Sequence, residues 1–438
     1  MKQYPTYKDS GVQWIGQIPE HWSTVKTKYI AKLYTGNSLD DSQKAKYSTD
    51  PFDMNASDTP YIATKDISSD CNCVSYYNGM TIPQDEAGFK RAPQGSFLLC
   101  IEGGSAGKKH AYLEHDVCFV NKLCCFDTDL DSRYHYYFIQ STPFTSHFQK
   151  LVQGLIGGVS VSDLNNMEVL VPSPAEQQAI AKFLDEKTAE IDESIALYED
   201  QKADLIEYRK ALISDTVTHG LNSDAPKKDS GVQWIGQIPE GWGLSALKYL
   251  GDARNGLTYS PEDVKESGIL VLRSSNIQDS QLAYEDNVYV DSAPENLKMK
   301  MGDILICSRN GSIALVGKCA YIPEDMDDAV FGAFMLRYRP TNPNRYIFYA
   351  VQEAIRNYKA FYATSTVNQL TVDVFGKMQI PLPSFAEQQE IVKFLDNKTS
   401  KIDDAISRID EQIADLRAYR TALITDAVTG KIDVRTAK

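Results

Sequence analysis

The segment that decides the fold is PSPAEQQAIAKFLDEKTAEIDESIALYEDQKADLIEYRKALISDTVT, which runs from Pro172 to Thr218. After Pro174 it contains no proline or glycine, the residues that most often end helices. Its apolar positions recur every seven residues, at Leu184, Ile191, Tyr198, Leu205 and Leu212. A seven-residue apolar repeat is typical of a helix that packs along a partner helix, and surface helices of globular cores are ordinarily shorter. The segment is therefore predicted to be one long helix of a coiled coil.

A partner for this helix is present in the same chain. The segment PSFAEQQEIVKFLDNKTSKIDDAISRIDEQIADLRAYRTALITDAVT, from Pro383 to Thr429, repeats the first segment. It carries the same stripe, at Leu395, Ile402, Ile409, Leu416 and Leu423. A duplicate that returns after a full repeat can lie antiparallel to the first copy. We therefore predict an antiparallel pair and an approximate internal two-fold repeat.

A second repeat precedes each long helix at a distance. KDSGVQWIGQIPEHW, from Lys8 to Trp22, recurs as KDSGVQWIGQIPEGW, from Lys228 to Trp242. All four tryptophans of the chain lie in these two copies: Trp14, Trp22, Trp234 and Trp242. The stretches between the repeats share short apolar runs bounded by glycine, such as GSFLLCIEGGS (Gly95–Ser105) and GDILICSRNGS (Gly302–Ser312). Such runs are typical of strands in a mixed α/β domain.

The predicted fold class is therefore α/β (α+β), with two similar mixed α/β domains joined by a long antiparallel two-helix coiled coil. The predicted division is a constant N-terminal segment at 1–22, a first domain at 23–171, a central long helix at 172–220, a linker with the repeated constant segment at 221–242, a second domain at 243–382 and a C-terminal long helix at 383–438.

Composition narrows the class of protein. The chain has 438 residues and a net charge of -14. This charge argues against a nucleic-acid ligand unless the acidic residues lie away from the binding surface. The first long helix (residues 175–218) has 5 basic against 11 acidic residues, whereas the variable stretches have 13 against 17 and 14 against 16. The acid is therefore concentrated in the helix, and the variable stretches are close to neutral. With no apolar run of ~18 residues and no N-terminal hydrophobic segment, we expect no membrane span and a cytoplasmic protein.

Motifs for catalysis are missing. GGSAGKK, from Gly103 to Lys109, lacks the spacing of a phosphate-binding loop, and no G-x-S-x-G elbow is present. None of the six histidines recurs in the second copy, and no cysteine pair has a second pair at zinc spacing. The chain is therefore predicted to have no catalytic residues, no metal site and no cofactor of its own.

Candidate ligand-binding residues gather in predicted loops of the variable stretches. Arginine, asparagine, glutamine and serine are the side chains that read base edges in DNA. The candidates are Lys108, Lys109, Arg254, Asn255, Arg273, Ser274, Asn276, Arg309, Asn310, Asn368 and Gln369. Arg309 is the strongest, because it lies in a glycine turn where the first copy has Glu102. The alternative, that each of these residues only solvates a loop, stays open.

These residues together resemble the specificity subunit of type I restriction-modification systems. The resemblance rests on W-I-G-x-I-P-E-x-W at Trp14–Trp22 and Trp234–Trp242, and on P-x-x-A-E-Q-Q-x-I-x-x-F-L-D at Pro172–Asp185 and Pro383–Asp396. The turn G-D-I-L-I-C-S-R-N-G-S at Gly302 adds to it. The likeness covers essentially the whole chain. The first copy departs at that turn, where Ser96 replaces the equivalent of Asp303.

The resemblance implies two target-recognition domains, each reading one half of a split, asymmetric sequence in double-stranded DNA. It also implies two methylation subunits that use S-adenosylmethionine, and two restriction subunits that use ATP and Mg²⁺, so that these cofactors belong to the partners. Partner docking would fall on the constant segments around Trp14, Trp22, Trp234 and Trp242.

The sequence also bears on two other classes of function. A coiled-coil scaffold with two protein-binding modules and no DNA binding is compatible with the near-neutral variable stretches. An autonomous nuclease or methyltransferase is disfavoured by the missing motifs. Salt discriminates between a DNA reader and the scaffold, because DNA affinity falls steeply as salt rises.

Overall fold

The computed structural model describes residues 2–50, 58–68, 72–153, 157–362 and 369–436. The chain divides into two compact units. Unit 1 comprises residues 1–200 and 409–438, and unit 2 comprises residues 201–408. Each unit therefore contains one variable stretch, the start of one long helix and the end of the other.

Unit 1, which contains the variable stretch at 23–171, is mixed α/β, as predicted. Its strands are β1 (Tyr7–Asp9), β2 (Gln17–Pro19), β3 (Ser23–Lys26), β4 (Ala31–Thr35), β5 (Thr59–Ile62), β6 (Thr81–Ile82), β7 (Arg91–Ala92), β8 (Phe97–Cys100), β9 (His110–Tyr112), β10 (Val117–Phe119), β11 (Leu123–Thr128) and β12 (Glu168–Val171). The helices are α1 (Asp41–Tyr47), α2 (Ser132–Phe138), α3 (Thr142–Leu151), α4 (Val161–Asn166) and the long α5 (Pro174–His219), whose residues up to 200 belong to unit 1.

Unit 2 has a similar but not identical series of elements. Its strands are β13 (Lys227–Asp229), β14 (Gln237–Pro239), β15 (Gly243–Ala246), β16 (Gly251–Asn255), β17 (Val264–Lys265), β18 (Ile269–Leu272), β19 (Ile277–Gln278), β20 (Gln281–Leu282), β21 (Tyr289–Val290), β22 (Ile304–Cys307), β23 (Cys319–Tyr321), β24 (Ala329–Phe331), β25 (Met335–Pro340) and β26 (Gln379–Leu382). Its helices are α6 (Arg345–Tyr362), α7 (Val372–Lys377) and the long α8 (Phe385–Val428), whose residues from 409 belong to unit 1.

One four-stranded sheet has the same topology in the two units, and the other shares its parallel strand pair, which confirms the internal repeat. The antiparallel sheet β4-β11-β8-β9 of unit 1 corresponds to β16-β25-β22-β23 of unit 2. The parallel pair β5 and β10 corresponds to the parallel pair β18 and β24. The short pair β3 and β12, which precedes α5, corresponds to β15 and β26, which precede α8. The two variable stretches are therefore one scaffold with different loops.

The long helices run antiparallel where they meet inside each unit. In unit 1, Arg420 donates to Asp192 at 2.9 Å and Arg417 donates to Glu199 at 3.0 Å, so that rising numbers on α8 meet falling numbers on α5. In unit 2, Arg209 of α5 lies 3.0 Å from Asp403 of α8. This direction confirms the antiparallel coiled coil.

The apolar seam of the long helices contains more positions than the seven-residue stripe. Members of the seven-residue stripe are buried or half-buried, and so are the residues four positions later, such as Thr188, Ile195, Thr399 and Ile413. The residues three positions later, such as Lys187, are not the second row. A 4-3 spacing keeps both rows on the face that meets the partner helix.

Each unit has its own apolar core under the helix starts. In unit 1, Trp22, Tyr134, Ile180, Leu184 and Val428 belong to one cluster. In unit 2, Trp242, Tyr346, Ile391, Leu395 and Val217 are their counterparts. No helix in the described part of the chain is long and apolar enough to cross a membrane.

Candidate nucleic-acid interface

An open cleft of about 1230 Å³ lies in unit 2, at one end of its two larger sheets. The segments that follow β16, β18 and β22, and the segment that precedes β25, form its walls. Gly256 makes this arrangement possible, because a Cβ atom there would lie 2.0 Å from the carbonyl oxygen of Phe331. Four of the predicted ligand-binding residues line this cleft: Arg273, Ser274, Arg309 and Asn310.

Arg309 and Asn310 form one wall of the cleft. The Arg309 guanidinium carbon lies 5.3 Å from the ring centre of Phe334, whose side chain is 61% exposed. The Asn310 amide Nδ2 donates to the Ser274 hydroxyl at 3.3 Å. Among the residues that the structure describes, no carboxylate forms a salt bridge with Arg309. The Asn310 Oδ1 accepts from the Ser312 amide at 3.0 Å, so both ends of this amide are held by the loops. The wall therefore presents a cation and an aromatic face to the open side.

The backbone holds this wall in place. The Arg309 amide donates to the carbonyl of Phe334 at 3.1 Å, which joins the turn after β22 to the start of β25. Arg309 also forms a β-bridge with Gln369, which brings a fifth candidate residue next to the turn. Asn368 lies outside the described residues. A base-reading side chain needs this kind of rigid support, because binding otherwise has to order the loop.

Arg273 lies on the opposite wall and is already paired. Its Nη2 lies 2.8 Å from Asp286 Oδ1 and donates to the Asp286 carbonyl at 3.1 Å. Its Nε is buried without a hydrogen-bond partner. The pairing holds the side chain on the wall and reduces the positive charge that it offers.

The other candidates of unit 2 are not gathered at the cleft. Asn276 is fully buried and holds the turn after β18, where its Oδ1 accepts from the Arg273 amide at 2.9 Å. The prediction that Asn276 reads a base is corrected accordingly, because no surface of this side chain is left for a ligand. Arg254 is paired with Asp252 at 2.7 Å on β16. Asn255 ends that strand and is exposed.

In unit 1 the two predicted lysines differ. Lys108 is exposed. Lys109 is half-buried, and its Nζ donates to the carbonyl of Thr64 at 3.0 Å. Lys318 of unit 2 makes a similar contact with the same turn, to the carbonyl of Ile277 at 3.1 Å. A lysine that joins two loops in both units stabilises the domain. Its position next to Lys108 in the sequence therefore did not indicate a shared role in ligand binding.

Sequence reasoning missed Phe334 and Asp286. Phe334 lies in the run FGAFML, whose apolar pattern indicates a core strand. Its exposure is set by the turn from β24 to β25, which no local signal marks. Asp286 lies in an acidic stretch that suggests a solvated loop.

Two of the four tryptophans have a structural role. Trp22 and Trp242 are buried at 0% and 3% exposure, and their Nε1 atoms donate to Glu176 at 3.5 Å and to Glu387 at 3.2 Å. Both indoles pack inside their own unit, so neither offers a surface to a partner, and docking on the segments around them stays a prediction.

The partner of each indole is part of a helix cap. The Ser173 amide donates to the Glu176 carboxylate at 3.3 Å and the Glu176 amide donates to the Ser173 hydroxyl at 3.4 Å, which is a capping box. Ser384 and Glu387 form the same pair at 3.1 and 3.4 Å. The repeated P-S-x-A-E motif therefore starts each long helix and fixes the tryptophan segment against it.

The other two tryptophans are half-buried. Trp14 stacks on His147 with ring centres 4.8 Å apart, and Trp234 meets Tyr358 edge to face at 6.5 Å. No described group of three or more histidine, cysteine, aspartate or glutamate residues is arranged to hold a metal ion. Burial raises the pKa of Cys118 to about 11, so this thiol is a neutral core residue.

Comparisons with known proteins address the same architecture. The family model for the type I restriction modification DNA specificity domain matches residues 19–202 and 239–414. The chain is 28% identical over 209 residues to the type I restriction enzyme StySPI specificity subunit of Salmonella potsdam and, over the same length, to the EcoKI specificity subunit of Escherichia coli (strain K12). Each match covers 45% of this chain and 44% of the relative, so the chain spans less than half the length of these relatives.

A solved structure shares the fold. A chain from a study of complex assembly and conformational transition of the type I R-M system matches with a TM-score of 0.69 at 16% identity, over 95% of this chain and 99% of the other. The family model covers most of the sequence, and it matches once in each unit. The chain therefore belongs to the family of type I restriction modification DNA specificity domain proteins.

Proposed function

We propose that this chain is the DNA sequence-recognition subunit of a type I restriction-modification complex. It reads a split, asymmetric target in double-stranded DNA with two modules, residues 23–171 and 243–382, and it catalyses no reaction itself. Family membership supports the proposal. The observation that carries it is the cleft of unit 2, where Arg309, Asn310 and Ser274 converge on a rigid wall.

The chemistry of this wall suits the major groove. A guanidinium donates two parallel hydrogen bonds to guanine O6 and N7, and an amide side chain pairs with adenine N6 and N7. Arg309 is held from behind by the Phe334 ring, which limits its freedom before DNA binds. Each such pairing discriminates against a wrong base by about 1–3 kcal/mol.

The partners supply the rest of the complex. Two methylation subunits bring S-adenosylmethionine, and two restriction subunits bring ATP and Mg²⁺. With Trp22 and Trp242 buried, the docking of methylation subunits falls on exposed apolar residues of the long helices, among them Leu197 at 58% and Tyr419 at 53% exposure. Much of the phosphate contact then comes from the partners, which agrees with the acidic helices and near-neutral modules.

Arg309→Ala in the assembled complex tests this function. We expect weaker binding to the cognate duplex and little further loss on a duplex altered only in the half-site read by unit 2, at one fixed salt concentration. Lys377→Ala is the control, because Lys377 is exposed and paired with Asp373 away from the cleft. Equal losses on both duplexes would assign Arg309 to the DNA backbone. If the assembled complex bound DNA without any sequence preference or salt dependence, the chain would be a protein scaffold instead.

A further inference from the structure

The equivalent of the Arg309 wall can be located in unit 1 from backbone hydrogen bonds. Ile101 donates to the carbonyl of Lys122 at 2.9 Å, as Ser308 donates to that of Phe334 at 3.0 Å. Val159 donates to the carbonyl of Ile101 at 2.9 Å, as Leu370 donates to that of Ser308 at 2.7 Å. The next residue in each unit is therefore equivalent, and Glu102 occupies the position of Arg309.

The opposite wall also has an equivalent in unit 1. The turn after β5 is closed by Asp66, whose Oδ2 accepts from the Ala63 amide at 2.8 Å. In unit 2 the turn after β18 is closed by Asn276 and the Arg273 amide at 2.9 Å. The lysine tethers from Lys109 and Lys318 brace both turns. Ala63 thus stands where unit 2 has Arg273.

A third match fixes the strand between the walls. Asn37 donates to the carbonyl of Phe119 at 2.8 Å, as Leu257 donates to that of Phe331 at 2.7 Å. Gly36 precedes Asn37, and a Cβ atom there would lie 1.8 Å from the Phe119 oxygen, as at Gly256. Three sides of the reading site are therefore built identically in the two units.

The side chains at these matched positions differ in charge between the two units. Glu102 replaces an arginine, Ala63 replaces an arginine, and Lys122 replaces Phe334. Glu102 is half-buried, and among the described residues it forms no salt bridge. Exposed lysines lie on the surrounding segments, at Lys65, Lys108 and Lys122. A carboxylate at the reading position with cations around it reverses the pattern of unit 2.

We propose that Glu102 is a specificity-determining residue of the first module and accepts a hydrogen bond from the exocyclic amino group of a base, cytosine N4 or adenine N6. An ionised carboxylate only accepts hydrogen bonds, so it repels guanine O6 and N7 and thymine O4 while it pairs with an amino group. The lysines around it offset the repulsion between the carboxylate and the phosphates. This inference rests on the proposed function.

The test measures methylation rates of the assembled complex on duplexes that carry each base pair at each position of the target. We expect Glu102→Ala to reduce discrimination at one position of the first half-site by about 5- to 150-fold and to leave the second half-site unchanged. Glu102→Gln should have the same effect where the base is cytosine and a smaller one where it is adenine, because an amide side chain also pairs with adenine N6 and N7. The base preferred there by the parent complex decides between cytosine and adenine. Arg309→Ala is the matched variant and alters only the second half-site.

The outcomes separate the two proposals. If Arg309→Ala alters the second half-site while Glu102→Gln and Glu102→Ala alter nothing, the inference on Glu102 is overturned and the proposed function stands. If neither half-site changes in any variant, the proposed function fails as well. Unchanged melting temperature and assembly of the Glu102→Gln complex show that the effect is local.

Discussion

Glu176 and Glu387 occupy the same position of the repeated motif but have different surroundings. Glu176 is buried at 3% exposure, and its carboxylate meets His21 at 2.9 Å, Trp22 at 3.5 Å and Arg435 at 3.4 Å in addition to Ser173. Glu387 is exposed and meets only Trp242 and Ser384 in the described structure, because Gly241 stands where unit 1 has His21. The pair offers a matched comparison within one chain.

We expect Glu176→Gln to lower the free energy of unfolding of unit 1 by about 2–3 kcal/mol. The amide keeps one acceptor oxygen, whereas its NH₂ group faces donors, and a hydrogen bond to a charged group contributes about 1.5–3 kcal/mol. His21 and Arg435 are 48% and 44% exposed, so water replaces much of what they lose. The loss therefore arises mainly at Ser173 and Trp22, where burial keeps water from replacing the weakened contacts. Glu387→Gln should cost about 0.3–1 kcal/mol, because glutamine also completes a capping box and the exposed site loses only the interaction of the charge with the helix dipole.

The measurement is hydrogen exchange of the peptides that begin α5 and α8, together with urea unfolding of both variants. The α5 start should lose more protection in Glu176→Gln than the α8 start loses in Glu387→Gln. Equal losses in the two variants would refute the reasoning, because burial and the extra partners would then contribute nothing beyond the cap.

Three further expectations concern stability. His110 and His135 are buried, and burial lowers the pKa of each to about 3. Because the unfolded state binds these protons below its pKa of about 6.5, the stability of unit 1 should fall by up to ~1.4 kcal/mol per histidine per pH unit between pH 6 and 4. A flat pH profile of stability would contradict this. Leu416→Asp places a charge in the half-buried seam and should lower the free energy of unfolding by about 2 kcal/mol. Tyr419→Asp, at 53% exposure on the same helix, is the control and should lower it by less than ~0.5 kcal/mol. Thermal unfolding measures both. Gly256→Ala should cost at least ~3 kcal/mol, because its Cβ meets two backbone oxygens within 2.5 Å, while Gly241→Ala, with open space around it, is the control.

The repeat and the two long helices follow from the sequence alone, because heptad spacing and the absence of proline and glycine are local properties. Their antiparallel direction was predicted from the return of the duplicated segment later in the chain. The sequence also marked the turn at Arg309, because one copy differs from the other there in charge. It could not decide which polar residues face a ligand. Asn276 and Lys109 form hydrogen bonds within the loops of their own units. Trp22 and Trp242 are buried against capping carboxylates that lie 154 and 145 residues away in the chain.

Only the tertiary structure brought Arg273, Ser274, Arg309 and Phe334 to one cleft, because they follow or precede strands that neighbour each other in space and not in sequence. The same non-local hydrogen bonds placed Glu102 opposite the turn at Ala63. Burial and strand order depend on pairings across tens of residues, and the free energy of those pairings belongs to the whole unit rather than to any segment of it.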